Sequence, residues 1–205
     1  MQWGAASFDD AAKKRIENAA KFEKRLRLEA LLGIPQSVGP FELRHITPRD
    51  ILKLEFAENR IAIGEDPKLD DYVHLVWLLS KKNRFFKTRQ IAKISNEIEN
   101  SDFLKDEILS FYASSLNDLP SVSGSGTTKS ISDEYQSSVY ICSLIDSLAS
   151  SFGWNLVEIL DLPLSACLQL LQRSLKRNLG DKYSLRNAIT QQAKANELNR
   201  LNYNG

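Results

Sequence analysis

Apolar residues recur at helical spacing along most of the chain, and caps and breakers divide that pattern into segments. The first segment predicts a long helix over about 9–32, with Ser7 or Asp9 as its cap and Gly33-Ile34-Pro35 as its stop. Its apolar residues are sparse at first (Ile16, Ala19, Ala20) and then thicken to Phe22, Leu26, Leu28, Leu31 and Leu32. Such a helix is solvated at its start and docked at its end, or docked on a partner. The Gly- and Pro-rich GIPQSVGP follows, then Phe41-Glu42-Leu43 as a short extended piece. In Thr47-Pro48-Arg49-Asp50, threonine reads as the N-cap, proline fits the first helical position, and aspartate sits near the positive end of the helix dipole. That helix carries Ile51, Leu54 and Phe56 and ends near Arg60; Asp66-Pro67 repeats the same start signal.

The stretch LDDYVHLVWLLS, 69–80, is the most apolar in the chain and reads as core through Leu69, Tyr72, Val73, Val76, Trp77 and Leu79 or Ser80. The basic connection KKNRFFKTR leads into Ile91, Ile94, Ile98, Leu104, Ile108, Phe111 and Leu116, with a break expected at Ser101-Asp102. Pro120 and SVSGSGTTKS then interrupt all periodicity with the composition of a flexible linker. Beyond it, Ile131, Tyr135, Val139, Cys142, Ile145, Leu148 and Phe152 form one stripe that Gly153 stops. Asp161 reads as the cap of a further helix, with Pro163 tolerated in its first turn and Leu164, Cys167, Leu168, Leu171 and Leu175 on one face. The segment from Ser184 to about Leu201 is rich in Gln and Asn and carries only a thin stripe of Leu185, Ile189 and Leu198. Strand signals are few. The expectation is an all-α fold, an irregular bundle of about seven helices in two subdomains joined by a Ser/Gly linker. The divisions are a basic helix or arm at 1–33, a helical subdomain at 34–119, the linker at 120–130 and a C-terminal helical subdomain at 131–205. No repeat of solenoid period is evident.

Composition narrows the picture. The 205 residues are 42% hydrophobic and 26% charged, with a formal net charge of +1. A chain of this size buries about 70% of its unfolded surface and needs no metal or disulfide to fold. The charge balance creates no global field toward nucleic acid or anionic lipid. The two cysteines, Cys142 and Cys167, both fall on predicted apolar faces and read as buried structural thiols of a protein in a reducing compartment. No apolar run reaches the roughly 20 residues that span a bilayer, and MQWGAASFDDAAKKR lacks the greasy segment of a secretory signal, so no membrane role is expected.

The residue types that carry chemistry are thinly spread. His45 reads as a loop histidine and His74 as a histidine at the edge of the core; neither lies near a nucleophile. The Cys and His spacings do not suit zinc, and Glu65-Asp66 and Asp70-Asp71 lack the alternating ligands of a calcium loop. In GSGTTKS, 124–130, Lys129 stands two residues too late for a phosphate-binding loop, and no strand precedes it. Adjacent carboxylates such as Asp9-Asp10 and Glu97/Glu99 read as solvated helix faces. The expectation is a non-enzymatic protein with no cofactor.

Basic stretches are the stronger candidates. In the first helix Lys13, Lys14, Arg15, Lys21, Lys24, Arg25 and Arg27 are diluted by Glu17, Glu23 and Glu29, which favours intrahelical pairs. Lys81, Lys82, Arg84, Lys87, Arg89 and Lys93 have no acid among them and surround Phe85-Phe86, a pattern that suits phosphate backbones or single strands. The two phenylalanines equally suit anchorage to the core.

Three stretches together carry a family resemblance: TPRDILKLE at 47–55, LDDYVHLVWLLS at 69–80 and FGWNLVEILDLPL at 152–164. Their order resembles small helical proteins encoded among the structural genes of tailed bacteriophages, including tail assembly chaperone-like proteins. The similarity covers about a third of the chain, and its residues are caps and core aromatics. It implies binding to helical protein partners during tail or virion assembly: shielding a tape-measure protein, or residence in the virion after assembly in the host cytoplasm. The basic first helix and the linker depart from that pattern and could be arms that wrap a neighbour. Trp77, Phe152 and Trp154 are expected to be structural. Partner contact is expected from Lys14, Arg15, Arg25 and Arg27 and from Leu185, Ile189 and Leu198, with Trp3 and Arg200 as minor candidates. The alternative is a nucleic-acid-binding accessory protein using 81–93.

Overall fold

A computed structural model describes residues 10–80, 87–116, 138–180 and 188–203. The chain is mostly helical, with ten helices among the described residues and one two-stranded sheet. Helix α1 (Asp10–Leu32) is followed by the antiparallel hairpin β1 (Gln36–Val38) and β2 (Phe41–Leu43), in which Val38 pairs with Phe41 across Gly39-Pro40. The extended piece at 41–43 is as expected, whereas β1 hides in a Gly- and Pro-rich loop. Gly39 turns the hairpin at φ +52°, and its missing side chain makes room for α6: a Cβ there would lie 2.5 Å from Leu104 Cδ1.

Helix α2 (Pro48–Phe56) starts as its sequence signals: the Thr47 side chain accepts from the Asp50 N–H, and the Asp50 carboxylate accepts from the Thr47 N–H. It stops short of residue 60. Glu58 takes φ +53°, and Asn59 caps the separate one-turn helix α3 (Arg60–Ile63). Helix α4 (Leu69–Leu79) begins two residues beyond Pro67, with the Lys68 N–H donating to the Asp71 carboxylate in place of the expected Asp66 cap. Helices α5 (Lys87–Glu99) and α6 (Asp102–Leu116) break where Ser101-Asp102 indicated. Helix α7 (Ser138–Phe152) ends at Gly153, φ +70°. The short α8 (Leu156–Asp161) is capped by Asn155, α9 (Leu164–Leu179) follows Pro163, and α10 (Ala188–Tyr203) closes the order. The helices beyond the expected seven include α3 and α8, which are too short to show a periodic stripe.

One continuous core joins these elements. Helix α4 contributes Leu75, Val76 and Leu79 and packs on α3, α5, α6 and β2. Around it lie Ile51 and Leu54 of α2, Ile94 and Ile98 of α5, and Ile108 and Phe111 of α6. The same cluster includes Ile141, Leu144 and Leu148 of α7, Ile159 of α8, and Leu164, Cys167 and Leu168 of α9. Helix α2 packs against α7 and α8, and α6 against α9, so helices from 34–119 and 131–205 meet directly. The expected linker at 120–130 lies outside the described residues. The C-terminus of α4 is tied to the hairpin by the Arg44 N–H donating to the Leu79 carbonyl at 3.1 Å.

Two burial expectations are corrected. Cys142 is exposed, because the buried ridge of α7 runs through Ile141, Leu144 and Leu148, sharing Leu148 with the expected stripe but falling one position before Cys142 and Ile145. A shift of one residue rotates a side chain by about 100° around a helix. His45 is buried, not a surface histidine: its Nε2–H donates to the Ile34 carbonyl at 2.9 Å, and burial lowers its pKa below the usual histidine value.

Candidate protein interface on the first helix

Helix α1 presents different chemistry on each side. On one side it packs against α10, and two polar links, one of them an ion pair, set the direction. Arg15 donates from Nε and Nη2 to the two carboxylate oxygens of Glu197, both at 2.7 Å, and Arg200 reaches the same carboxylate at 3.2 Å. Near the start of α10, Glu23 accepts from the Thr190 backbone N–H at 3.1 Å and from its hydroxyl at 2.5 Å. An early residue of α1 thus meets a late residue of α10, and a later residue of α1 meets an early one, so the two helices are antiparallel. Glu23 occupies the place of an N-cap residue for α10, supplied from another helix: a carboxylate among first-turn N–H groups also meets the positive end of the dipole. Its other oxygen accepts from Arg27 Nη2 at 3.3 Å. Ala12, one turn before Arg15, is buried, and so is Ala30 beyond Glu23.

Some of the residues expected at a partner interface are engaged within the chain. Arg15 binds Glu197 across the helix pair; Arg27 pairs with Glu23 and Arg25 with Glu29 within α1. Lys14 is exposed. Ile189 is half-buried against the α1 side, where it lines a small cavity with Leu26, Ala30, His45 and Gln169, and Leu198 is exposed. Leu185 lies outside the described residues. The two segments expected to contact a partner therefore contact each other.

The outward side of α1 is different. Leu28 is 48% exposed, Leu31 52% and Leu32 72%, and Ile34 just beyond the helix is also exposed. These leucines sit at i, i+3 and i+4 and so share one face. Continuing that line back along the helix, Lys24 and Lys21 stand four and seven residues before Leu28 and are exposed. The end of α1 is therefore docked on one side only: Ala30 is buried, while Leu28, Leu31 and Leu32 are left largely uncovered by the described residues. Isolated exposed leucines are ordinary, but an apolar cluster on one helix face marks an interaction surface.

Between α1 and α9 this face opens into a groove of about 470 Å³. Ala20, Leu28 and Leu31 line it from α1, Gln169, Gln172 and Arg173 from α9, and Thr190 from α10. Lys24 and Arg173 stand along it as exposed cations without an acidic partner among the described residues.

A second polar cluster lies where α2, α8 and the end of the hairpin meet. Arg44 binds Asp50 in a two-pronged pair at 2.5 and 2.8 Å, and Arg49 reaches Asp161 at 2.6 Å. Burial alone would push the Asp50 carboxyl up, but the Arg44 guanidinium and the Thr47 N–H and hydroxyl bring it below its ordinary value. Asp161, expected as a helix cap, instead ties α8 to α2. The cluster satisfies its own charges and positions α2; Lys53 is the cation left at its edge.

Of the basic stretch 81–93, residues Lys81, Lys82 and Arg84 lie outside the described residues. Lys87, Arg89 and Lys93 are exposed on α5. Lys87 lies 5.0 Å from the centre of the Trp77 ring, a cation–π position. Two and six residues further on, Arg89 and Lys93 are turned about 200° and 240° around the helix from it. The described cations of the stretch therefore do not form a single strip.

The Cys167 thiol is fully buried, its S–H facing the Ile159 carbonyl, and burial pushes its pKa up to about 12. Among the described residues no three His, Cys, Asp or Glu side chains gather as a metal site would require, and no helix is long and apolar enough to cross a membrane. No family model, curated protein or solved structure matches the chain.

Proposed function

We propose that this protein is a non-enzymatic binding protein that docks a helical protein partner on the outward face of α1. Its setting, on the family resemblance, is tail or virion assembly of a tailed bacteriophage, in the host cytoplasm or in the particle itself. The observation that carries the reading is the cluster of exposed leucines, Leu28, Leu31 and Leu32, on a helix that α10 already holds through Arg15 and Glu23. Apolar side chains repeated over one to two turns are how a helix is read by another helix. The Arg15–Glu197 and Glu23–Thr190 links hold α1 in place, so the face is presented ready-made and little ordering entropy is lost on binding.

The test is affinity capture of the tagged protein from producing cells after nuclease treatment and a high-salt wash, compared with a Leu28→Glu/Leu32→Glu variant. Both replaced side chains are exposed, so the variant keeps its fold, which circular dichroism checks. A partner retained by the parent and lost by the variant supports the reading, and a tape-measure or other tail protein as that partner supports the phage setting. Equal recovery by both proteins, or no partner at all after salt and nuclease, rejects it.

A further inference from the structure

The groove between α1 and α9 has a definite chemistry, and the reading of α1 as a docking face lets that chemistry be taken one step further. Its floor is apolar at one end, through Leu28 and Leu31, with Leu32 just outside. Its walls are cationic, through Lys24 on α1 and Arg173 on α9, with Lys21 one turn earlier on α1. The one carboxylate that lines it, Glu23, is buried and already binds Thr190 and Arg27. Nothing acidic among the groove-lining residues answers the two exposed cations.

We infer that the groove receives an acidic amphipathic helix: a partner segment with an apolar stripe for Leu28 and Leu31 and glutamates or aspartates toward Lys24 and Arg173. The side chains on α1 have the periodicity for such a ligand. Lys21, Lys24, Leu28 and Leu31 are spaced three, four and three residues apart, so they form one line along the helix. An antiparallel or parallel helix laid against that line meets two charges at one end and two leucines at the other. The arrangement sets which end of the ligand is acidic and which is apolar. It also disfavours a basic helix, which would bring like charges into a partly desolvated groove. A second copy of this chain presenting the same α1 face would place its own Lys21 and Lys24 there and is disfavoured for the same reason.

The test uses the full chain and three labelled synthetic helical peptides of equal length, read by fluorescence polarisation. The first has leucines at i, i+3 and i+7 with flanking glutamates; the second replaces each glutamate by lysine; the third scrambles the first. The expected result is binding of the acidic peptide alone, weakened as salt is raised. A Lys24→Glu/Arg173→Glu variant should bind it about tenfold or more weakly, since reversing charges along a groove changes association and salt dependence. The same variant should gain affinity for the lysine peptide, a reversal that mere unfolding cannot produce. Leu31→Glu should remove binding of both.

Equal binding of the acidic and basic peptides, or no change with charge reversal, overturns the proposal. So does failure of all three peptides to bind. The capture experiment separates that failure from failure of the broader reading: a partner lost with Leu28→Glu/Leu32→Glu, alongside silent peptides, keeps α1 as a docking face and rejects the acidic helix as its occupant. Sedimentation of the same protein makes the second-copy case visible, since a dimer abolished by Leu31→Glu also rejects it.

Discussion

Replacing Glu23 by alanine tests how α10 is held. The Glu23 carboxylate accepts from the Thr190 N–H and hydroxyl through one oxygen and from Arg27 through the other. Hydrogen bonds to a charged group contribute about 1.5–3 kcal/mol each. Thr190 is half-buried, so water recovers part of what the two Thr190 bonds supply. A net loss of about 2–3 kcal/mol in the docking of α10 follows. At about 1.4 kcal/mol per factor of ten, that is roughly 30- to 140-fold in the docking equilibrium. Glu23→Gln keeps the shape and one acceptor oxygen and should cost only about 1 kcal/mol, roughly fivefold. Native-state hydrogen exchange reads this directly, because undocking exposes α10 without unfolding the core. The amides of α10 should lose protection by the stated factors, in the order Ala, Gln, parent, while those of α4 stay unchanged. The reasoning fails if α10 protection in Glu23→Ala stays within about threefold of the parent, or if α4 loses protection equally.

The remaining predictions concern other parts of the fold. Asp50→Asn should cost about 1–3 kcal/mol, since Asp50 is buried while Arg44 is 43% exposed and screened by solvent. Asp50 is held below its ordinary 3.8, so its contribution is complete above that value and lost as pH falls through the lower folded value; acid titration of stability below about pH 4 should flatten in Asp50→Asn. His45 is also held below its ordinary 6.5, so it too supports the fold above that pH and withdraws support as pH falls, and His45→Gln should reduce the loss of thermal stability between pH 7 and pH 5. Gly39→Ala should lower stability by about 2–4 kcal/mol through a left-handed φ and the approach to Leu104, measured by chemical denaturation. In native protein a thiol reagent should modify Cys142 alone, with Cys167 reacting only on unfolding; rapid modification of both would contradict the packing of α9.

Local signals were readable where the interaction is local. The Thr47–Asp50 box, the break after Glu99 and the apolar density of α4 each depend on neighbours within a turn or two. So does the pairing of Arg27 with Glu23 and of Arg25 with Glu29. What escaped depends on distant partners. The burial of His45 rests on the Ile34 carbonyl, and the role of Asp161 on Arg49 of another helix. The pairing of α1 with α10 leaves almost no periodic trace, because the links that hold it are polar, Arg15 to Glu197 and Glu23 to Thr190. The same fact explains the α1 pattern: the residues that look like a core stripe, Leu28, Leu31 and Leu32, are those the rest of the chain leaves uncovered. The groove cations Lys24 and Arg173 lie on separate helices, and only their spatial neighbourhood makes them a pair.

The Arg15–Glu197 link also sets a timetable for biosynthesis. Its two residues are separated by 182 positions, and a ribosome adds roughly 5–20 residues each second. Arg15 therefore waits roughly 10–40 s for its carboxylate while the intervening helices emerge. During that interval α1 carries lysines and arginines without Glu197 and lacks the surface of α10 that covers Ala12. A nascent chain arrested before α10 would display both sides of its first helix at once, the outward leucines and the unpaired inner face. Completion of the α1–α10 pair is thus coupled to synthesis of the segment that closes over α1.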